Sequence, residues 1–178
     1  MRITISGTPG SGKSTIAKLL AKKLGYKHYS VGDFRRERAE SLGMTLNEYN
    51  KLGEEKDFTD KEADEWQKKL GKEKDNFIID GRLSYHFIPK ALKIFIDADE
   101  KERAKRIFND KRSSEKYKTK EEALKEIQKR QKSDIRRYEK YYGINPFKKE
   151  NHDLVIDTTG KNIEQSIKLA YNKVKKYL

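Results

Sequence analysis

The fold is decided by the stretch Gly7-Thr8-Pro9-Gly10-Ser11-Gly12-Lys13-Ser14, which has the spacing G-x-x-x-x-G-K-[ST]. An apolar strand is predicted before it, at residues 2–6, and an amphipathic helix after it, from Gly12 to Leu24. Glycines allow the backbone to curl so that successive N–H groups point inward, and the start of the helix adds positive potential. The pattern therefore predicts a loop that binds phosphate, with a merely structural glycine-rich turn as the alternative.

This loop predicts a nucleoside triphosphate ligand. Lys13 is suited to reach the β- and γ-phosphate oxygens, and the Ser14 hydroxyl is suited to bind Mg²⁺. We predict that ATP is bound by Gly7, Thr8, Pro9, Gly10, Ser11, Gly12, Lys13, Ser14 and Thr15. Switch-type GTPases are excluded, since neither Asn50-Lys51-Leu52-Gly53 nor Asn172-Lys173-Val174-Lys175 supplies the guanine-reading pattern N-K-x-D.

The rest of the chain predicts an α/β fold in a single domain of 178 residues. Apolar segments that alternate with helical periodicity predict five parallel strands, at residues 2–6, 27–30, 77–80, 93–97 and 154–157. Two stretches interrupt this alternation. Residues 33–72 are charged and helical, which indicates an insertion, and residues 109–119 form a polar loop that is a candidate mobile lid.

Composition excludes several other functions. The chain has no cysteine, so it has no disulfides, thiolate metal sites or cysteine nucleophiles. No apolar run approaches the roughly 20 residues that span a bilayer, and we expect a cytoplasmic protein without a membrane partner. The net charge is +13, and residues 101–150 hold 18 lysines and arginines against nine acidic residues. This charge favours anionic ligands and leaves a nucleic-acid-stimulated ATPase as an alternative from a different class.

An acidic residue ends the strand predicted at 77–80. Asp80 follows three apolar residues, where enzymes with a phosphate-binding loop place an acid beside the metal and its waters, although an ordinary Asp-Gly turn is the alternative. Gly81 and Arg82 come next, at the edge of the sheet where such folds bind ligands. A guanidinium can hold phosphate through two hydrogen bonds, so we predict that Arg82 binds an acceptor phosphate.

Arginines lie on both sides of the polar loop. Arg103 and Arg106 precede it, and Arg130, Arg136 and Arg137 follow it. Phosphoryl transfer between two nucleotides brings mutually repelling groups together and builds charge on the transferring group. Closure of the loop would bring these arginines to that charge and exclude water. The alternative is that they belong to solvated helix faces with Glu–Lys pairing.

These residues resemble the nucleoside monophosphate kinases, and in particular the compact archaeal type of cytidylate kinase. Tyr29-Ser30-Val31-Gly32-Asp33-Phe34-Arg35-Arg36 looks like the element that opens the monophosphate-binding insertion of that superfamily. Asp80-Gly81-Arg82 is similar to the Asp-Gly-Arg of cytidylate kinases, although Leu83 stands where bacterial members carry an acid. The segment from Arg130 to Arg137 resembles the exit from the lid.

The resemblance implies a P-loop NTPase fold, with the insertion at about 33–72 and a short lid within about 103–137. It implies the catalytic residues Lys13, Arg103, Arg130 and Arg137. It implies the acceptor-binding residues Ser30, Asp33, Arg36, Gly81, Arg82 and Asp134. Mg²⁺ would be bound by Ser14 directly and by Asp33 and Asp80 through water. Contact with the acceptor base is open to Ser30, Asp60, Asp64 and Trp66, and packing inside the insertion is the alternative for Trp66.

The implied reaction is Mg²⁺-dependent phosphoryl transfer from ATP to CMP or dCMP, giving CDP and ADP, in pyrimidine nucleotide metabolism. We expect a monomer that needs no nucleic acid. An adenylate kinase or another small-molecule kinase remains the alternative within the same fold.

Overall fold

The computed structural model describes residues 1–55, 58–109 and 117–178. Part of the predicted lid, residues 110–116, and two residues of the predicted insertion, 56 and 57, lie outside the described residues. The strands are β1 (Arg2–Gly7), β2 (Lys27–Ser30), β3 (Phe77–Asp80), β4 (Leu92–Asp97) and β5 (Leu154–Asp157). The helices are α1 (Lys13–Leu24), α2 (Val31–Ser41), α3 (Leu46–Glu55), α4 (Phe58–Glu73), α5 (Ser84–Phe87), α6 (Glu100–Phe108), α7 (Lys120–Tyr142) and α8 (Ile163–Val174).

The five strands form one parallel sheet in the order β2-β3-β1-β4-β5. The predicted fold class is therefore confirmed. The predicted strands differ from the observed ones only in that β1 continues to Gly7 and β4 begins at Leu92. Within the predicted insertion the structure has α2, α3 and α4.

Strands β1, β3 and β4 are largely buried because helices cover both faces of the sheet. On one face, Ile3 and Ile5 of β1 and Ile78 of β3 pack with Ile16 and Leu20 of α1. The opposite face of β3 carries Phe77 and Ile79, which pack with Leu70 of α4 and with Ile88. Strands β3 and β4, which are buried on both faces, consist mostly of apolar residues, and this pattern predicts them from the sequence. None of the described helices combines the length and apolar character needed to cross a membrane.

All five strands run in the same direction, so their carboxyl ends lie along one edge of the sheet. The residues at these ends are Gly7, Ser30, Asp80, Asp97 and Asp157. Ligands bind at this edge in open α/β sheets, and the loop after β1 starts here.

The tightest backbone approach at this edge involves Gly7. A Cβ atom at this position would lie 2.2 Å from the carbonyl oxygen of Ile96 in β4, whereas a Cβ atom at Gly25 would have no neighbour within 4 Å. We expect Gly7→Ala to lower the free energy of unfolding by about 3 kcal/mol, because the backbone must move. Gly25→Ala is the control and costs only about 1 kcal/mol for its left-handed conformation. Equal losses in urea unfolding experiments would contradict this close approach.

Candidate active site

The phosphate-binding loop begins where β1 ends and continues into α1. Gly10 and Gly12 adopt left-handed conformations, with φ of +80° and +85°, which residues with a side chain rarely adopt. A Cβ atom at Gly10 would also lie 2.8 Å from the carbonyl oxygen of Arg103. Gly12 is the N-cap residue and α1 begins at Lys13, so the positive end of the helix points at the loop. This is the geometry of a phosphate cradle.

The carboxylate of Asp80 lies beside the start of α1 and is 2% exposed. The Ser14 hydroxyl donates to its Oδ2 at 2.8 Å, and Lys13 Nζ lies 3.8 Å from the same atom. His28 Nε2 lies 2.8 Å from Oδ1. Burial alone would raise the pKa of Asp80, but His28, Lys13 and Ser14 outweigh burial and lower it below its ordinary value. Asp80 is therefore a charged, buried hydrogen-bond acceptor in contact with Lys13 and Ser14 at the start of α1.

Lys13 supplies a positive charge beside this carboxylate. Burial and the neighbouring charge of Arg82 lower its pKa to about 8, although Asp80 raises it. A bound polyphosphate would favour the charged amine, because opposite charges stabilise one another.

Arg82 adds a second positive charge near Lys13 and is held by two hydrogen bonds. Its Nε donates to Asp134 Oδ2 at 2.7 Å, and its Nη1 donates to the carbonyl oxygen of Gly7 at 3.0 Å. The guanidinium also stacks on the ring of Phe147, 5.6 Å from the centroid. Asp134, predicted as an acceptor ligand, thus contacts the predicted phosphate-binding arginine itself.

Arg137 connects this region to the insertion. It is buried, and its guanidinium lies 3.4 Å from Asp134 and 3.7 Å from Asp60 of α4. Its Nη2 also donates to the Tyr138 hydroxyl at 3.0 Å. Burial by itself would lower the pKa of Arg137, but Tyr138, Asp60 and Asp134 outweigh burial and raise it. Alternating charges therefore extend from α4 to the end of β1.

Two further predicted residues, Asp33 and Arg36, lie on the first turns of α2. They form an ion pair with each other, and both side chains are more than 60% exposed. The Ser30 hydroxyl accepts from the Asp33 N–H at 3.4 Å and donates to Asp80 Oδ2 at the same distance. Gly81 packs tightly, since a Cβ atom there would lie 2.3 Å from the Ser84 hydroxyl oxygen.

Three other predicted arginines contact the phosphate-binding loop or α7. Arg103 is buried, and it donates to the carbonyl oxygen of Pro9 in the loop and to that of Ala98 after β4. Arg106 donates to the carbonyl oxygens of Ser11 and Thr158. Arg130 lies 3.4 Å from Glu126 on α7 and is 40% exposed. Thus, of the predicted arginines, the structure brings Arg82 and Arg137 to one carboxylate, Asp134, whereas Arg103 and Arg106 donate to carbonyl oxygens of the phosphate-binding loop.

Trp66 and two residues that the sequence analysis did not single out complete the region. Trp66 stacks on Phe34, with ring centroids 4.7 Å apart, and packs on the core beside β3, which supports its interpretation as a packing residue. His28 was missed, although alternate strand residues share a face and Ser30 of the same strand was predicted. Arg35 was missed because the resemblance pointed to Arg36, yet Arg35 is the buried member of this pair.

Comparisons with known proteins match the chain almost from end to end. The sequence profile of the cytidylate kinase-like family matches residues 2–160. A cytidylate kinase of Archaeoglobus fulgidus is 36% identical over 175 residues, which cover 98% of this chain and 94% of that protein. A cytidylate kinase of Thermococcus kodakarensis is 40% identical over 157 residues, covering 88% of this chain and 78% of that protein.

Solved structures show the same fold at lower sequence similarity. A shikimate kinase from Bacteroides thetaiotaomicron has a TM-score of 0.67 at 15% identity, with 98% of each chain covered. One from Aquifex aeolicus has a TM-score of 0.62 at 20% identity, with 99% of this chain and 98% of that chain covered. The match of the family profile to most of the chain confirms the resemblance seen in the motifs, and the chain belongs to the cytidylate kinase-like family.

Proposed function

We propose that the protein is a (d)CMP kinase, which transfers the γ-phosphoryl group of ATP to CMP or dCMP and releases CDP and ADP. The observation that carries this proposal is the position of Arg82. It lies against the start of the phosphate-binding loop, where it can hold an acceptor phosphate opposite the donor. The names of the archaeal relatives support cytidine as the acceptor nucleoside. We further propose that the enzyme acts as a cytoplasmic monomer in pyrimidine nucleotide metabolism, within a single kinase domain.

On the donor side, the loop N–H groups and Lys13 hold the phosphates of ATP. The oxygens at this site suit Mg²⁺, because Mg²⁺ in such enzymes is bound by one or two protein oxygens together with substrate phosphates. The Ser14 hydroxyl, 2.8 Å from the Asp80 carboxylate, would bind the ion, with Asp80 and Asp33 contacting its waters. When bound, Mg²⁺ neutralises charge on the β- and γ-phosphates.

On the acceptor side, Arg82 and Arg36 orient the monophosphate, with Ser30, Asp33 and Gly81 beside them. Asp134 and the Gly7 carbonyl oxygen position the Arg82 guanidinium, which reduces the freedom lost when phosphate binds. The acceptor oxygen is already anionic, so the reaction needs no general base. Arg103, Arg130 and Arg137 are proposed to neutralise the transferring group as the lid closes and excludes water.

Substitution of Arg82 tests the acceptor site. ADP release should be measured with ATP, Mg²⁺ and each of CMP, dCMP, UMP, AMP and GMP. We expect CMP or dCMP to be the best acceptor and Arg82→Ala to lower kcat/KM about 100- to 1000-fold, because a preorganised cation is lost. Arg38→Ala, which removes the exposed partner of Glu62, is the control and should stay near wild type. Best activity with AMP would contradict the proposed acceptor.

Proton uptake on ATP binding tests the role of Lys13. The amine has a pKa of about 8 in the free protein, so about half of it is uncharged at pH 8, and bound phosphates should recharge it. We expect binding at pH 8 to take up about half a proton, measured by calorimetry in two buffers of different ionisation enthalpy. The Lys13→Arg variant keeps its positive charge at pH 8 and should take up no proton when ATP binds. Equal proton uptake by the variant and the wild type would show that another group binds the proton.

A further inference from the structure

The inner face of α4 carries polar residues where a packed helix usually carries apolar ones. Asp60, Ala63, Asp64 and Gln67 have the spacing of a single helix face, and all four are buried. Aspartates are rarely buried unless they have a partner. Apolar packing alone therefore does not account for the residues on this face of α4.

This face lines a small cleft next to Arg82. Leu83 and Phe87 form apolar walls of the cleft, and Arg35 and Arg82 also line it. A monophosphate held by Arg82 would therefore extend its remaining part between apolar walls toward the carboxylates of α4. The lining of this narrow cleft, with apolar walls and a polar end, suits a pyrimidine ring, whose faces are apolar and whose edge is polar.

Arg35 and Asp60, which line this end of the cleft, each have an atom with unused hydrogen-bonding capacity. Arg35 Nη1 donates to Asp60 Oδ1 at 2.9 Å, but neither Arg35 Nη2 nor Asp60 Oδ2 has a hydrogen-bond partner among the residues that the structure describes. Arg137 Nε lies 3.7 Å from Asp60 Oδ2, beyond hydrogen-bond distance. Asp60 is 3% exposed and Arg35 6%. A buried donor and a buried acceptor are thus left for a ligand that offers both complementary groups.

Asp64 adds a second carboxylate one turn along the helix. The Tyr142 hydroxyl donates to its Oδ2, and Asp64 also lines the cleft. Burial raises its pKa to about 6, while the hydrogen bond from Tyr142 opposes that shift. At neutral pH the group is therefore largely ionised and can accept hydrogen bonds.

Hydrogen-bonding groups of this kind would distinguish cytosine from uracil. Cytosine presents an amino group with two hydrogens at position 4, next to an acceptor ring nitrogen, whereas uracil presents a carbonyl oxygen at position 4. Carboxylates accept from the cytosine amino group and repel a carbonyl oxygen in that place. We infer that Asp60 and Asp64 are the residues that select the acceptor base, accepting from its amino group while Arg35 donates to its ring. This inference rests on the proposed function.

The test compares Asp60→Asn and Asp64→Asn with wild type. The expected result is that kcat/KM for CMP divided by that for UMP falls at least about 10-fold in each variant, because an amide can donate to the uracil oxygen. Glu62→Gln is the matched control on the same helix, since Glu62 pairs with Arg38 outside the cleft, and its ratio should equal that of wild type. Both rates come from one preparation, so a smaller folded fraction cancels in the ratio.

Asp60→Asn also weakens the buried pair with Arg35, so Asp64→Asn carries the test if Asp60→Asn does not fold. A wild-type preference for CMP that both folded variants retain, or equal use of CMP and UMP by wild type, would overturn the inference and leave the proposed kinase activity in place. Failure of wild type to phosphorylate any pyrimidine monophosphate would overturn the proposed function as well.

Discussion

The buried carboxylate of Asp80 organises the donor end of the site. A buried charge is costly unless it is paired, so the elements around β3 must present partners to it. Lys13 and Ser14 come from α1, and His28 comes from β2 on the other side. These contacts hold the start of α1 against the end of β3, and they orient the hydroxyl proposed to bind Mg²⁺. The stability of this edge and its chemistry thus depend on the same group.

A second set of charges couples the insertion to the loop. Asp60, Arg137, Asp134 and Arg82 alternate in sign and end on the Gly7 carbonyl oxygen. Removing one member of a buried pair costs about 3–5 kcal/mol, whereas an exposed pair contributes about 0–1 kcal/mol. The proposed binding of an acceptor phosphate to Arg82 would therefore act on a linked network. This gives a physical route by which the acceptor side and the donor loop respond to each other.

Much of the fold could be predicted because its signals are local. Strands β3 and β4 are buried on both faces and mostly apolar, so the sequence predicts β3 in full and β4 to within one residue. The adjacent residues Arg35 and Arg36 show where this reasoning stops. Their side chains point about 100° apart on α2, so one can face inward while the other faces outward. Because both residues are arginine, the sequence does not show which of the two is buried. Packing against α4 decides that Arg35 is the buried one.

By itself, the sequence determined the phosphate-binding loop, the parallel sheet and the family, because loop curvature, strand burial and helix starts depend on residues close together in the chain. Only the tertiary structure decided that Asp134 positions Arg82, that Arg103 donates to a carbonyl oxygen of the loop, and that Asp60 faces a cleft. Asp134 and Arg82 are separated by 52 positions in the chain. The partner of a buried charge is set by which helices pack together, and no local pattern of residues encodes that choice.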